Sequence, residues 1–248
     1  MGANWSDRRL LLVASSGMAV AVSTAPRGSI VWRHHPVGAS TGYMEELRDD
    51  WAAQVAEAWT VSPFATELSA LSETQLDSLH QYLASGPALP FRYLSIHGPS
   101  KDRQLSEEAL VAELCQLAGW ADGIVMHPDS IEEPDLYRDL GRKLLIENMD
   151  SRKELGRTQD ELAPTFAELP EAGFCFDVAH AWSIDPDMSV ASGLLDAFGD
   201  RLRHLHVSSL SADLHHVPLT EEHEELFGPL LQRCLDVPWI LEAPPRPN

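Results

Sequence analysis

The segment KLLIENMDSRKELGRTQDELAPTFAELPEAGFCFD, residues 143–177, reads as strand, helix, strand. Lys143 to Glu147 is a short apolar run of the length and composition expected for a buried strand, and Gly173 to Asp177 is a second. Gln159 to Leu169 between them has helical length. Two such strands joined by one helix form a parallel βαβ unit. Both strands end in a carboxylate.

The same rhythm continues in both directions. Upstream, Met44 to Trp59 reads as helix, Phe64 to Ala70 as strand, Ser72 to Ala84 as helix and Phe91 to His97 as strand. Ser106 to Trp120 is a helix whose Ser106 can cap the first amides, with Glu107 and Glu108 suited to its N-terminal dipole. Gly123 to His127 is a strand, followed by a short helix near Pro134 to Leu140. Downstream, helix Val190 to Phe198 leads to strand Arg203 to Val207, and helix Glu221 to Leu235 to strand Val237 to Glu242. Seven strands after residue 60, each separated by a helix, predict a (β/α)8 TIM barrel of the α/β class. The alternative, a doubly wound open sheet, would want a GxGxxG phosphate loop, and the chain has none. The first strand is expected at Leu10 to Ala14, with Ser29 to Trp32 as the other candidate. Arg8-Arg9 before an apolar run also resembles a signal peptide, but strand counting favours a strand. Only six residues follow Glu242, so the eighth helix is expected to be missing. The groove it would cover is expected to be filled by residues 15–43 or by a second copy in a homodimer. No second domain is read anywhere in residues 1–248.

Composition narrows the function. The 248 residues are 44% hydrophobic and 23% charged, a globular balance. Eighteen Lys plus Arg against 38 Asp plus Glu give a formal charge of −20, which opposes a phosphate backbone or an anionic membrane surface. Neither nucleic acid nor membrane is expected as a partner; a small molecule is. Cys115, Cys175 and Cys234 are too few and scattered for a disulfide framework or thiolate zinc module, which suits a cytoplasmic protein.

The chemistry lies at the strand ends, where barrels of this kind build their active sites. Six successive strands finish in or beside His97, His127, Glu147, Asp177, His206 and Glu242. Residues two apart share a strand face, so each would point into the barrel mouth. His180 follows three residues after Asp177, and Asp213-Leu214-His215-His216 lies in the loop after the seventh strand. Imidazole and carboxylate without thiolate suit divalent Zn, Mn or Fe. Satisfied polar residues at strand ends are the plainer reading, but several buried carboxylates at one mouth would repel each other without a cation. Glu147 is central enough in strand order to bridge two ions.

IHGP (96–99), MHPD (126–129), LLIENMD (144–150), FDVAHAW (176–182), HLHVSS (204–209), ADLHH (212–216) and WILEAP (239–244) together resemble the xylose isomerase-like TIM-barrel superfamily. That group holds endonuclease IV and many sugar isomerases and epimerases. Resemblance to its single-metal ketose epimerases implies one ion on Glu147, Asp177, His206 and Glu242, with Glu147 and Glu242 moving the proton. Resemblance to endonuclease IV implies three: His97 and His127 join Glu147 around one, and His180, Asp213 and His215 hold another. The arginine that the epimerases carry after the strand-seven histidine has no counterpart in VSSLSADLHH, residues 207–216.

Other residues divide between chemical and structural roles. Arg152, Lys153 and Arg157 are either an anion clamp over the mouth or a charged helix start. Trp182 either walls the substrate pocket or packs beneath a loop. His216 is expected behind the ligands or in solvent, His204 deeper in the barrel as a bonded core histidine, Glu67 as a secondary site candidate and His34-His35 in solvent. The resulting expectation is a divalent-metal enzyme with one to three ions per chain and a small sugar-like or phosphorylated substrate. Phosphoester hydrolysis leads, ahead of isomerisation or epimerisation. A multi-iron oxidative enzyme and a non-catalytic barrel are the remaining readings.

Overall fold

The computed structural model describes residues 34–100 and 103–245. Eight parallel strands close a barrel: β1 (Val37–Ser40), β2 (Ala65–Ser69), β3 (Tyr93–His97), β4 (Gly123–Met126), β5 (Leu144–Glu147), β6 (Gly173–Asp177), β7 (Leu202–Val207) and β10 (Trp239–Leu241). β10 pairs with both β7 and β1, which completes the ring. The helices are α1 (Trp51–Val61), α2 (Glu73–Ala84), α3 (Glu107–Leu117), α4 (Pro134–Tyr137), α5 (Gln159–Glu168), α6 (Val178–Ile184), α7 (Ser189–Phe198) and α8 (Glu221–Leu231). Most start at a short polar side chain that takes a first-turn amide: Asp50, Ser72, Ser106, Thr158, Asp177 and Thr220. The main apolar core lies between the outward strand faces and the helices, around Leu68, Ile96, Ile124, Ile146, Phe174 and Phe176.

The first strand is a correction. It is Val37–Ser40, and both expected candidates, Leu10 to Ala14 and Ser29 to Trp32, lie outside the described residues. VGAS carries too little apolar character to signal a buried strand. Its Gly38 reflects crowding, since a Cβ there would sit 2.5 Å from the Ala65 carbonyl oxygen. The first helix also begins later than Met44. Asp49 adopts φ 72°, which interrupts helical geometry, and Asp50 then caps α1. Two features escaped the pattern: α6, directly after β6, and an antiparallel hairpin of β8 (Ser209–Leu210) and β9 (His216–Val217) above β7.

Among the described residues no helix follows β10. Trp239 on its outward side is nevertheless buried; its indole Nε1 donates to the Cys234 carbonyl at 2.9 Å, and the His35 ring lies 4.4 Å from it. His35, expected in solvent, is therefore part of the seam, and its Nε2 hydrogen-bonds the Val237 carbonyl at 2.9 Å. Among the described residues no helix is long and apolar enough to cross a membrane.

Candidate metal centre

Strand pairing gathers the expected ligands at one mouth. Asp177 is in register with His206, and Ile240, two residues before Glu242, pairs with the same histidine. Three groups result, and within each the candidate ligand atoms lie within 4.8 Å of one another. The first comprises His97, His127 and Glu147; the second Glu147, Asp177, His206 and Glu242; the third Asp177, His180 and His216. Glu147 and Asp177 each belong to two.

Glu147 is the hub. Its Oε2 lies 3.2 Å from His97 Nε2 and 3.3 Å from His127 Nε2, while its Oε1 lies 2.9 Å from His206 Nδ1. His206 Nδ1 is also 3.4 Å from Glu242 Oε1. His97 directs Nδ1 to the Gly98 carbonyl at 2.8 Å, and His180 directs its own to the Asn148 carbonyl at 2.9 Å. Donating from Nδ1 leaves each Nε2 lone pair free to ligate. Asn148 also ties the strand ends together: its side-chain oxygen accepts from Asp177 N at 2.8 Å and its amide donates to the Asp177 carbonyl at 2.9 Å.

Charge is concentrated here. Burial alone would raise Glu147, but His206, with hydrogen bonds from His127 and His97, holds it well below the usual carboxylate range. Burial pushes Glu242 well above its ordinary value; His206 opposes this, while Asp177 and Glu147 add to it. Burial lowers His127 and takes His216 down to about 4, so both favour the neutral, ligating form. Asp177 Oδ2, Glu242 Oε2 and His127 Nδ1 are buried without a hydrogen-bond partner. Buried carboxylate oxygens left without a partner beside several imidazoles are what a divalent cation would satisfy, so the donor set fits the expected metal. Hard oxygen and imidazole donors suit zinc, manganese or iron. Deeper down, Cys175 approaches His204 and His206, and burial pushes its thiol well up.

Outside the six strand-end residues and His180, placement is mixed. Asp213 and His215 are exposed in the turn between β8 and β9, where Leu214 has φ 58°, and neither joins a group. His216, expected behind the ligands or in solvent, faces inward and completes the third group instead. Its Nδ1 is 2.7 Å from Ser208 Oγ and 3.2 Å from Glu242 Oε2. The hairpin explains the exchange, because His216 opens β9 while His215 stays in the exposed turn before it.

Arg152 is half exposed and pairs with the buried Asp150, its Nε 3.1 and 3.0 Å from the two carboxylate oxygens. Asp150 Oδ2 in turn lies 3.9 Å from His180 Nε2, so Arg152 stands at the rim of the third group. Lys153 pairs with Asp129 at 2.6 Å, beside His127. Arg157 bonds Glu161 at 2.7 Å on the first turn of α5, which matches a charged helix start. Trp182 packs 4.3 Å from the His223 ring, and His223 Nδ1 bonds Ser209 Oγ at 2.8 Å, so this tryptophan braces the hairpin. Asp150 and Asn148 were missed as supporting residues. Both lie in ENMD, right after the strand, where a loop position carries no period to mark its direction.

The sequence profile described as xylose isomerase-like TIM barrel matches residues 96–248. Among solved structures, endonuclease IV from Thermus thermophilus is similar at 24% identity, covering 79% of this chain and 88% of that one, with a TM-score of 0.53. The 3-keto-D-glucoside 4-epimerase from E. coli is similar at 16% identity, covering 86% and 94%, with a TM-score of 0.53. The D-psicose 3-epimerase from Clostridium cellulolyticum H10, crystallised with D-tagatose, reaches 16% identity, 85% of each chain and the same TM-score of 0.53. No curated protein matches the sequence. The profile match spans more than half of the chain and contains every residue of the three ligand groups; the protein belongs to the xylose isomerase-like TIM barrel family.

Proposed function

We propose that this protein is a divalent-metal-dependent phosphoester hydrolase with a multinuclear centre, acting on a small sugar-like or phosphorylated substrate. The observation that carries this reading is the sharing of Glu147 and Asp177 among three adjoining ligand groups. Carboxylates that serve two groups each are the feature expected of bridged ions. When bound, such ions supply Lewis acidity for the substrate's oxygens. The chain's own residues do the rest. His97, Glu147, Asp177, His180 and His206 form a buried floor, with His127, His216 and Glu242 half-buried at its edge. Arg152 is placed at the rim to hold an anionic group, with its guanidinium pre-oriented by Asp150. The charge of −20 favours a small substrate over duplex DNA.

A second reading, sugar isomerisation or epimerisation around one ion, has its own support. Glu147 and Glu242 flank His206 Nδ1, and their surroundings push the first towards the ionised form and the second towards the protonated form. Carboxyls driven apart in this way make an acid and base pair. Metal analysis of the purified protein, followed by assays with bis(p-nitrophenyl) phosphate and with ketoses, separates the two. Two or three ions with phosphodiester cleavage are expected. One ion with epimerised sugar would replace the hydrolase by the second reading, and absence of bound metal would overturn both.

A further inference from the structure

Beneath the ligand groups the barrel holds a carboxylate that none of them contains. Glu67, in the middle of β2, is fully buried where barrels of this type usually place branched apolar side chains. Ser95, its register partner on β3, donates its hydroxyl to Glu67 Oε2 at 2.9 Å. His206 Nε2 lies 3.2 Å from each of the two carboxylate oxygens, with hydrogen-bond geometry to Oε2. The His206 ring therefore stands between two carboxylates, with Glu147 Oε1 2.9 Å from its other nitrogen.

We propose that Glu67 is a positioning residue for the metal centre: it accepts the Nε2–H of His206 and thereby presents the Nδ1 lone pair to the ligand group above. This rests on the reading of Glu147, Asp177, His206 and Glu242 as a metal site. A neutral imidazole carries one N–H, and the tautomer is set by whichever acceptor holds that proton. Without Glu67, the proton would move to Nδ1, facing Glu147 and Glu242, and the nitrogen would no longer ligate. Glu67 is itself fixed from the far side. The Tyr93 hydroxyl bonds His204 Nδ1 at 3.1 Å, which turns His204 Nε2 towards Glu67 Oε2 at 3.3 Å. Carboxylates behind ligating histidines orient the ring and raise its basicity, and their loss weakens metal affinity by about 10- to 100-fold.

The test combines zinc affinity with the His206 tautomer. Zinc is titrated against a chromophoric chelator into wild type and Glu67→Gln, and histidine 15N spectra are recorded for each. Expected are a His206 protonated at Nε2 and metallated at Nδ1 in wild type, and zinc binding weaker by about 10- to 100-fold in Glu67→Gln. Equal affinity with an unchanged tautomer in the variant would overturn the proposal. If Glu67→Gln does not fold, the zinc-loaded wild type decides alone, because metallation at Nε2 would overturn it. Wild type that takes no zinc at His206 defeats the metal-site reading itself, a result distinguishable from both.

Discussion

Glu147 meets four histidines at once. His97, His127 and His206 lie between 2.9 and 3.3 Å from its oxygens, and His180 Nδ1 is 3.5 Å away. Replacing it should therefore cost more than one ligand. Glu147→Ala is expected to leave at most one bound ion, measured by elemental analysis, because two of the three groups lose a shared member. The same substitution should change histidine titration in metal-free protein. Burial alone would lower His97, and the Glu147 hydrogen bond and charge, joined by the charge of Glu67, raise it above its ordinary value. In Glu147→Ala the His97 titration, followed by NMR, should move towards lower pH; an unmoved value would show that the contact carries no weight. The convergence of the strand-end residues was legible in the sequence because a period of two fixes which strand residues face the mouth. In the loop after β7 no such period operates, so the expectation fell on His215 in ADLHH, whereas it is His216 that lies beside Asp177 and His180.

Among the elements, α6 links structure to chemistry most directly. Its N-cap is Asp177, whose Oδ1 accepts from His180 N at 2.7 Å while Oδ2 remains without a partner. One carboxylate thus starts a seven-residue helix and contributes to two ligand groups. The two roles separate by substitution. Asp177→Asn keeps a good capping side chain but loses the anionic oxygen, so metal content should fall. Asp177→Ala should lose the metal as well, and be about 1 kcal/mol less stable than Asp177→Asn when both are metal-free, judged by urea unfolding. Equal stability would mean that the cap contributes nothing. The helix was invisible in FDVAHAW because its cap doubles as a strand end, and seven residues are too few for a 3.6 period to emerge. β1 was hidden for the opposite reason. Its tight approach to Ala65 demands glycine at 38, and small residues carry no hydrophobic signal.

At the scale of the whole molecule, two features concern the surface rather than the mouth. The first is closure of the ring. His35 bridges from just before β1 to the Val237 carbonyl and packs on Trp239. Burial lowers its basicity, with the Val237 carbonyl and Asp236 opposing. A histidine held neutral in the fold contributes stability that is present above its ordinary value of 6.5 and declines below it, where only the unfolded chain takes up the proton. His35→Ala should lower stability by about 1 kcal/mol through the lost hydrogen bond, and should flatten the decline of the urea midpoint on the acid side of neutrality. An identical pH slope in the variant would remove His35 from the seam's energetics. The second feature is charge. A chain at −20 has few cations to replace condensed counterions, and beside Arg152 those near the mouth are already committed: Lys153 to Asp129 and Arg157 to Glu161. Non-specific duplex affinity comes mainly from such replacement. Filter retention of an abasic-site duplex at physiological salt should therefore be negligible, and should rise only modestly as salt is lowered, because few phosphate contacts give a shallow salt slope. Tight retention with a steep slope would mean that several cations leave their carboxylate partners for phosphate. The substrate would then be a nucleic acid, held at the same barrel mouth.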